Sequence, residues 1–232
     1  MKRAKKLKLI SSSLIDLVYP QHCNICSIDL TMNEQFLCLG CKFDLPYINQ
    51  SQQTLQTLEK LFWGRVHVEK VVALLNYQKG NQTQKILHQL KYHNKIKLAI
   101  HFGELIGELI PKSNDIDYLV PVPLHPKKKR IRGFNQSTVI AKGIETVTAI
   151  PIIENVIKRN TFNKSQTNFS KFDRWDNVKS IFTVTKPYLL KNKHIILIDD
   201  VLTTGATIEA CVQELTKVEG CKVTIAVLAA RV

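Results

Sequence analysis

An α/β fold built on an open, mainly parallel sheet is what this sequence predicts, and three observations carry the prediction. Ile195 to Ile198 form a short apolar run, the pattern of a strand buried on both faces. Behind it Ile208, Val212 and Leu215 recur at helical spacing, and the apolar stretch after Cys221 supplies a last buried strand. Strand, helix and strand in that order imply a parallel, right-handed unit. The third observation is a pair of Cys-x2-Cys knuckles near the N-terminus, which adds a small domain of a different kind.

Length and composition bound the rest. The 232 residues suffice for one medium domain and a small one, and a hydrophobic share of 44% allows a full core. No apolar stretch approaches the roughly 18 residues that a membrane span requires. The formal net charge of +14 points to nucleic acid, anionic lipid or phosphorylated ligands without choosing among them. The N-terminus begins Met1-Lys-Arg-Ala-Lys-Lys and then turns apolar, but Ser11, Ser12 and Ser13 interrupt that run and Asp16 follows. That pattern is not an export signal. The expected location is cytoplasmic, at or away from the inner face of the membrane. Leu7, Ile10, Leu14, Leu17 and Val18 fall at helical spacing, ending before Pro20. A helix packed on its own protein is favoured over one making peripheral membrane contact.

Cys23 and Cys26, then Cys38 and Cys41, form the two knuckles, eleven residues apart. Four thiolates in this spacing suit a closed tetrahedral site for structural Zn²⁺. A reducing compartment disfavours two disulfides, and redox chemistry needs one pair rather than two. Gly40 is expected to relax the second knuckle. A span of about 30 residues cannot build a core alone, which is a reason for a metal staple. Cys211 and Cys221 lie far away and read as core thiols. The expected division is 1–50 for the N-terminal helix and zinc knob, 51–65 for a Gln- and Thr-rich linker, and 66–232 for the main domain.

Within the main domain, Val71 to Leu75 reads as a strand. Helices are expected over Thr83 to Tyr92 and from Ile96 to Leu109, with a further strand over Asn155 to Arg159. Tyr118 begins another strand, which Pro121 and Pro123 force out of the sheet. The chain then enters a cationic loop, Lys127, Lys128, Lys129, Arg130 and Arg132, followed by Gly133, Phe134, Asn135 and Gln136 at the mouth of a helix. Such a loop suits a pyrophosphate or a nucleic-acid backbone. A plain solvated charge run is the bland alternative. From His125 to Lys179 twelve Lys and Arg stand against four acids, interleaved with Phe134, Phe162, Phe169, Phe172 and Trp175. Cations for phosphates and aromatic faces for bases are what single-stranded DNA requires.

The organising stretch is His194 to Thr207. Asp199 and Asp200 stand at the carboxyl end of its strand, and Thr203, Thr204, Gly205, Ala206 and Thr207 turn into the next helix. The turn can offer N–H groups and hydroxyls to one phosphate, with the helix dipole favouring the anion. The two acids can accept hydrogen bonds from sugar hydroxyls or hold hydrated Mg²⁺. Neither GxxxxGK[ST] nor GxGxxG occurs in the chain, which removes the common nucleotide cradles.

This stretch resembles the phosphoribosyl-pyrophosphate (PRPP) loop of type I phosphoribosyltransferases. The resemblance implies that Asp199 and Asp200 meet the ribose, as the catalytic acids if transfer occurs, and that Thr203 to Thr207 hold the 5′-phosphate. The four cysteines, Pro121 to Pro126, Arg132 to Gln136 and the Asp199-Asp200 loop, in that order, resemble the ComF competence family over nearly the whole chain. Arg159, Thr161 and Gln166 fit that family's R-x-T-x-x-Q stretch with a longer gap. The resemblance implies a phosphoribosyltransferase-like fold and a part in bringing transforming single-stranded DNA into the cell, beside a DNA-uptake helicase. Two expectations stand: a DNA-binding protein with a PRPP-type pocket, or an active transferase using PRPP and Mg²⁺ on an unidentified acceptor.

Overall fold

Four parallel strands, β1 (Lys70–Asn76), β2 (Tyr118–Pro121), β5 (His194–Leu202) and β6 (Lys222–Ala230), form a sheet in the order β1-β6-β5-β2. The computed structural model describes residues 21–92, 95–111, 115–160 and 181–232. The expected N-terminal helix, and Thr161 and Gln166 with the aromatics around them, lie outside the described residues. β3 (Ile157–Arg159) and β4 (Phe182–Val184) make a separate antiparallel pair.

Strand alternation divides the core in two. Ile196 and Ile198 face one side with α3 (Gln82–Gln89), α4 (Ile96–Leu109) and α6 (Gln136–Thr148). Ile195 and Leu197 face the other with α2 (Gln52–Glu59), the β3–β4 pair and α7 (Ala206–Leu215). Because side chains project alternately from a pleated strand, one apolar run serves both layers. The expected helix over Ile96 to Leu109 has those bounds, and the expected strand over Val71 to Leu75 lies within β1.

On the first face α4 and α6 cross at two glycines. A Cβ on Gly103 would strike the Ile140 carbonyl and stand 2.9 Å from Gly143 Cα, and one on Gly143 would strike the Ile100 carbonyl. Backbone meets backbone there, with no flexible group to yield. Gly143→Ala is expected to cost about 1–3 kcal/mol through overpacking, measured as a lower denaturant midpoint at unchanged slope. An unchanged midpoint would mean that the helices part without penalty.

Residues 51–65, expected as a linker, contain α2 and a 3₁₀ turn at Lys60–Phe62. Leu58 and Phe62 are fully buried against the second face of the sheet. The Gln- and Thr-rich composition hid these two apolar anchors. The cysteine region is likewise continuous with the main core: Cys23, Leu37, Cys41 and Leu45 belong to the same apolar cluster as Leu98 and Phe102.

Candidate functional site

Local sequence builds the crevice at the carboxyl edge of the sheet. β2 pairs with β5 only as far as Pro121 opposite Ile198, while β5 continues beside β6 to Leu202 opposite Ala230. Proline has no N–H to give the ladder, so β2 leaves after one last bond from Val122 N–H to the Ile198 carbonyl at 2.9 Å. That departure frees the β2 side of β5 beyond Ile198. Asp199 and Asp200 occupy that stretch, within the strand rather than after it as the sequence suggested.

The space is filled from α6. Asn135 caps this helix: its side-chain oxygen accepts from Ser137 N–H at 3.3 Å, and its amide donates to the Val122 carbonyl at 2.9 Å. So held, Ser137 donates its hydroxyl to Asp199 Oδ1 at 3.0 Å, and the Asp200 N–H donates to the same oxygen at 2.9 Å. Burial, then the neighbouring charge of Asp200, push the Asp199 carboxyl up to about 7, against the opposing pull of these bonds and of Arg159. Asp200 is also raised by burial, with Arg132 and Lys91 as the charges that hold it down. Arg132 Nη1 donates to Gln136 Oε1 at 3.0 Å, and Gln136 is 2% exposed. Arg159 lies 5.4 Å above the Phe182 ring.

Ser137 therefore joins the carboxylates by a direct hydrogen bond, while Lys91 and Arg159 act on them through their charge. Arg159 was visible only as the first residue of the R-x-T-x-x-Q stretch. Lys91 is one of many lysines, and Ser137 carries no motif.

The expected phosphate turn follows β5. Gly205 takes φ +78° as N-cap of α7, a conformation that suits glycine. A Cβ there would come within 3.2 Å of Phe62 Cε1, so the former linker supports the turn from below. Thr203, Thr204, Ala206 and Thr207 are exposed; the N-cap glycine has no side chain to cap the helix, and the Ala206 N–H meets Thr204 Oγ1 only at 3.5 Å. The first-turn acid Glu209, unfavourable to an anion, is paired with Arg65 at 3.2 Å.

The cationic stretch is not a loop. Pro126–Arg132 forms the helix α5, with His125 Nδ1 accepting from Lys127 N–H at 3.2 Å and Gly133 ending it at φ +73°. Proline at its first position and cations in its last turn favour helix over loop. None of its residues is buried. Lys127, Lys128, Lys129 and Arg130 are exposed, while Arg132 and Phe134 are half-buried, Phe134 against the first-face core.

At the N-terminal end the sulfurs of Cys23, Cys26, Cys38 and Cys41 all lie within 4.8 Å of one another. Cys23 Sγ accepts from Ile25 N–H at 3.5 Å, and Cys38 Sγ from Cys41 N–H at 3.4 Å, where it caps α1 (Leu39–Phe43). Burial and the neighbouring sulfurs raise the Cys41 thiol. Burial also works against the Cys23 thiolate, but N–H groups of Cys26, Cys38 and Ile25 bring it down to about 6. Four soft donors this close fit one metal ion. Glu34 ties the intervening segment, accepting from Thr31 N–H at 2.8 Å and Leu39 N–H at 2.6 Å. The turns are made by Ser27 and Phe36, both at φ +63°, while Gly40 sits inside α1 and is not in the left-handed region. Cys211 is buried and its thiol pushed well up, and burial takes Cys221 to about 11.

A phosphoribosyl transferase domain model matches residues 146–232. Competence protein F of Haemophilus influenzae is 26% identical over 204 residues, covering 86% of this chain and 74% of that protein. DNA utilization protein YhgH of Escherichia coli is 25% identical over 207 residues, 84% of each chain. Competence protein ComFC of Bacillus subtilis is 36% identical over 107 residues, 46% of this chain and 40% of that protein. With the parallel sheet and the four-cysteine cluster in one chain, these similarities lead to one conclusion: the chain is similar to competence protein F, YhgH and ComFC and has a phosphoribosyltransferase-like fold.

Proposed function

We propose that this protein handles incoming single-stranded DNA during natural transformation and carries, at Asp199 to Thr207, a pocket for PRPP with Mg²⁺. The names of its relatives, competence protein and DNA utilization protein, support the DNA role. The observation that carries the reading is α5. It is seven residues long, buries no side chain and leaves Ile131 85% exposed. So short a helix gains little from its own hydrogen bonds, and core packing does not explain it. Its five cations instead offer phosphate contacts, with Arg132 beside the carboxylate crevice. A DNA-uptake helicase is the protein partner this role implies. Among the described residues no helix is long and apolar enough to cross a membrane.

Binding of a short single strand should weaken steeply with salt, since each neutralised phosphate releases counterions. Replacing Lys127, Lys128 and Lys129 together by Gln should reduce the log–log salt slope by about 2. A slope that stays at the wild-type value would move the DNA surface away from α5.

A second reading, transfer from PRPP to an acceptor, is favoured by one observation. A carboxyl poised near neutrality is characteristic of reacting sites. In that reading Asp199 and Asp200 would steady the ribose and would be the residues to hold hydrated Mg²⁺, which would supply positive charge for the pyrophosphate. Release of pyrophosphate from PRPP in the presence of candidate nucleophiles would establish it, and no release would leave the pocket as a binding or regulatory site.

A further inference from the structure

The turn after α2 holds one ring that the core does not take. Leu58 and Phe62 are buried under the second face of the sheet, and Phe62 shares its apolar cluster with Leu202 and Ile208, which bracket the turn Thr203 to Thr207. Trp63, the next residue, is 65% exposed. A large indole left in water forgoes the burial that usually stabilises it, so core packing does not account for its place.

The backbone around Trp63 is held on both sides. Trp63 N–H donates to the Lys60 carbonyl at 3.3 Å, and the N–H groups of Arg65 and Val66 donate to the Phe62 carbonyl at 3.0 and 3.1 Å. This segment is tied to the start of α7 twice. The Phe62 ring closes the space that a Cβ on Gly205 would need, with Cε1 3.2 Å from that position, and Arg65 Nη1 pairs with Glu209 Oε2 at 3.2 Å. Trp63 stands between these two anchors in the chain, which places it at the flank of the first turn of α7. Lys60 Nζ stands 5.7 Å from the centroid of its ring, a cation–π contact. Lys60 and Arg65 are matched by Glu59 and Glu209, so the spot offers an aromatic face rather than net charge. α5 offers the reverse. It carries five cations and no aromatic ring, and Phe134 beyond it packs against the first-face core. α5 follows β2 and the turn Thr203 to Thr207 follows β5, and these strands are neighbours in the sheet, so both leave its carboxyl edge. A single strand needs cations for its phosphates and ring faces for its bases.

We propose that Trp63 is a stacking platform for a base of single-stranded DNA at the flank of the turn Thr203 to Thr207. The inference rests on the DNA-binding reading and adds the base contact that α5 lacks. Stacking depends on bases and phosphate contacts on charge, so the two are separable by experiment.

The chain has two tryptophans, Trp63 and Trp175, so in Trp175→Phe protein the indole emission reports Trp63 alone. A short thymidine strand should quench that emission, and an abasic strand of equal length should bind without quenching it. By fluorescence anisotropy across a salt series, Trp63→Ala should lose about tenfold in affinity for the thymidine strand. It should bind the abasic strand as wild type does and keep the salt slope, and Trp63→Phe should retain most of the thymidine affinity. Thymidine binding without quenching, wild-type affinity of Trp63→Ala for that strand, or an equal loss on both strands would each overturn the stacking contact alone. Quenching by free thymidine 5′-monophosphate as strong as by the strand would overturn the strand as ligand and make the ring part of a nucleotide pocket. Failure of the wild-type protein to bind either strand would overturn the contact together with the DNA reading beneath it.

Discussion

The Cys23→Ser protein is expected to emerge without its metal, with the N-terminal region open to protease and a lowered thermal midpoint, whereas the wild type should contain about one equivalent of zinc. The four sulfurs are already within 4.8 Å of one another, and burial with the neighbouring sulfurs raises the Cys41 thiol where no cation joins them. Structural zinc in small peptide sites supplies on the order of 10–16 kcal/mol of apparent binding energy. A region from Cys23 to Leu45, held by few strands or helices of its own, depends on such a contribution. The damage should also spread. Cys23 and Cys41 pack in the cluster that contains Leu98 and Phe102 of α4, so an opened knob uncovers part of the main core. Elemental analysis with limited proteolysis checks both halves. A full metal complement in the variant would remove the tetrathiolate assignment.

Asp200→Ala should weaken PRPP binding by about 1.5–3 kcal/mol, the usual worth of a charge-assisted hydrogen bond to a sugar hydroxyl, while leaving zinc content unchanged. Titration calorimetry with PRPP and Mg²⁺ measures it. No heat from the wild type would leave only the DNA-binding reading. The same titration should depend on pH. The Asp199 carboxyl is raised from 3.8 to about 7, so in the folded, ligand-free protein it holds its proton up to neutrality. Its contribution to stability is fully present below about pH 4 and is lost as the pH rises toward 7, where ionisation places a second charge beside Asp200. Binding a cation there requires that ionisation, so affinity for Mg²⁺ with PRPP should climb between pH 6 and 8 and flatten above, on the order of tenfold per unit below 7. A flat profile in wild type would separate Asp199 from the metal.

Sequence by itself determined the elements whose information is local. The run from Ile195 through Leu215 shows its strand, turn and helix because periodicity and turn chemistry are properties of neighbouring residues. The cysteine knuckles were legible for the same reason, since the spacing within each pair is local, and the fold then sets all four sulfurs within 4.8 Å of one another. The bounds of α4 follow from apolar spacing and a proline just beyond it. Local reading failed where a neighbour distant in sequence decides. α5 looked like a loop because charge runs usually are, yet His125 and Gly133 close its two ends. Residues 51–65 looked like a linker because the worth of Leu58 and Phe62 depends on a sheet face assembled elsewhere.

The site divides along the same line. Asp199, Asp200 and the turn at Gly205 are adjacent in the chain and were read directly. Ser137 bonds Asp199 from α6, and the charges of Lys91 and Arg159 act on the pair from distant parts of the chain, an arrangement that depends on the sheet order β1-β6-β5-β2 and the early exit of β2. The raised Asp199 carboxyl likewise belongs to the tertiary structure. Burial and a neighbouring charge shift a pKa, and both are set by what packs around a residue rather than by what precedes it.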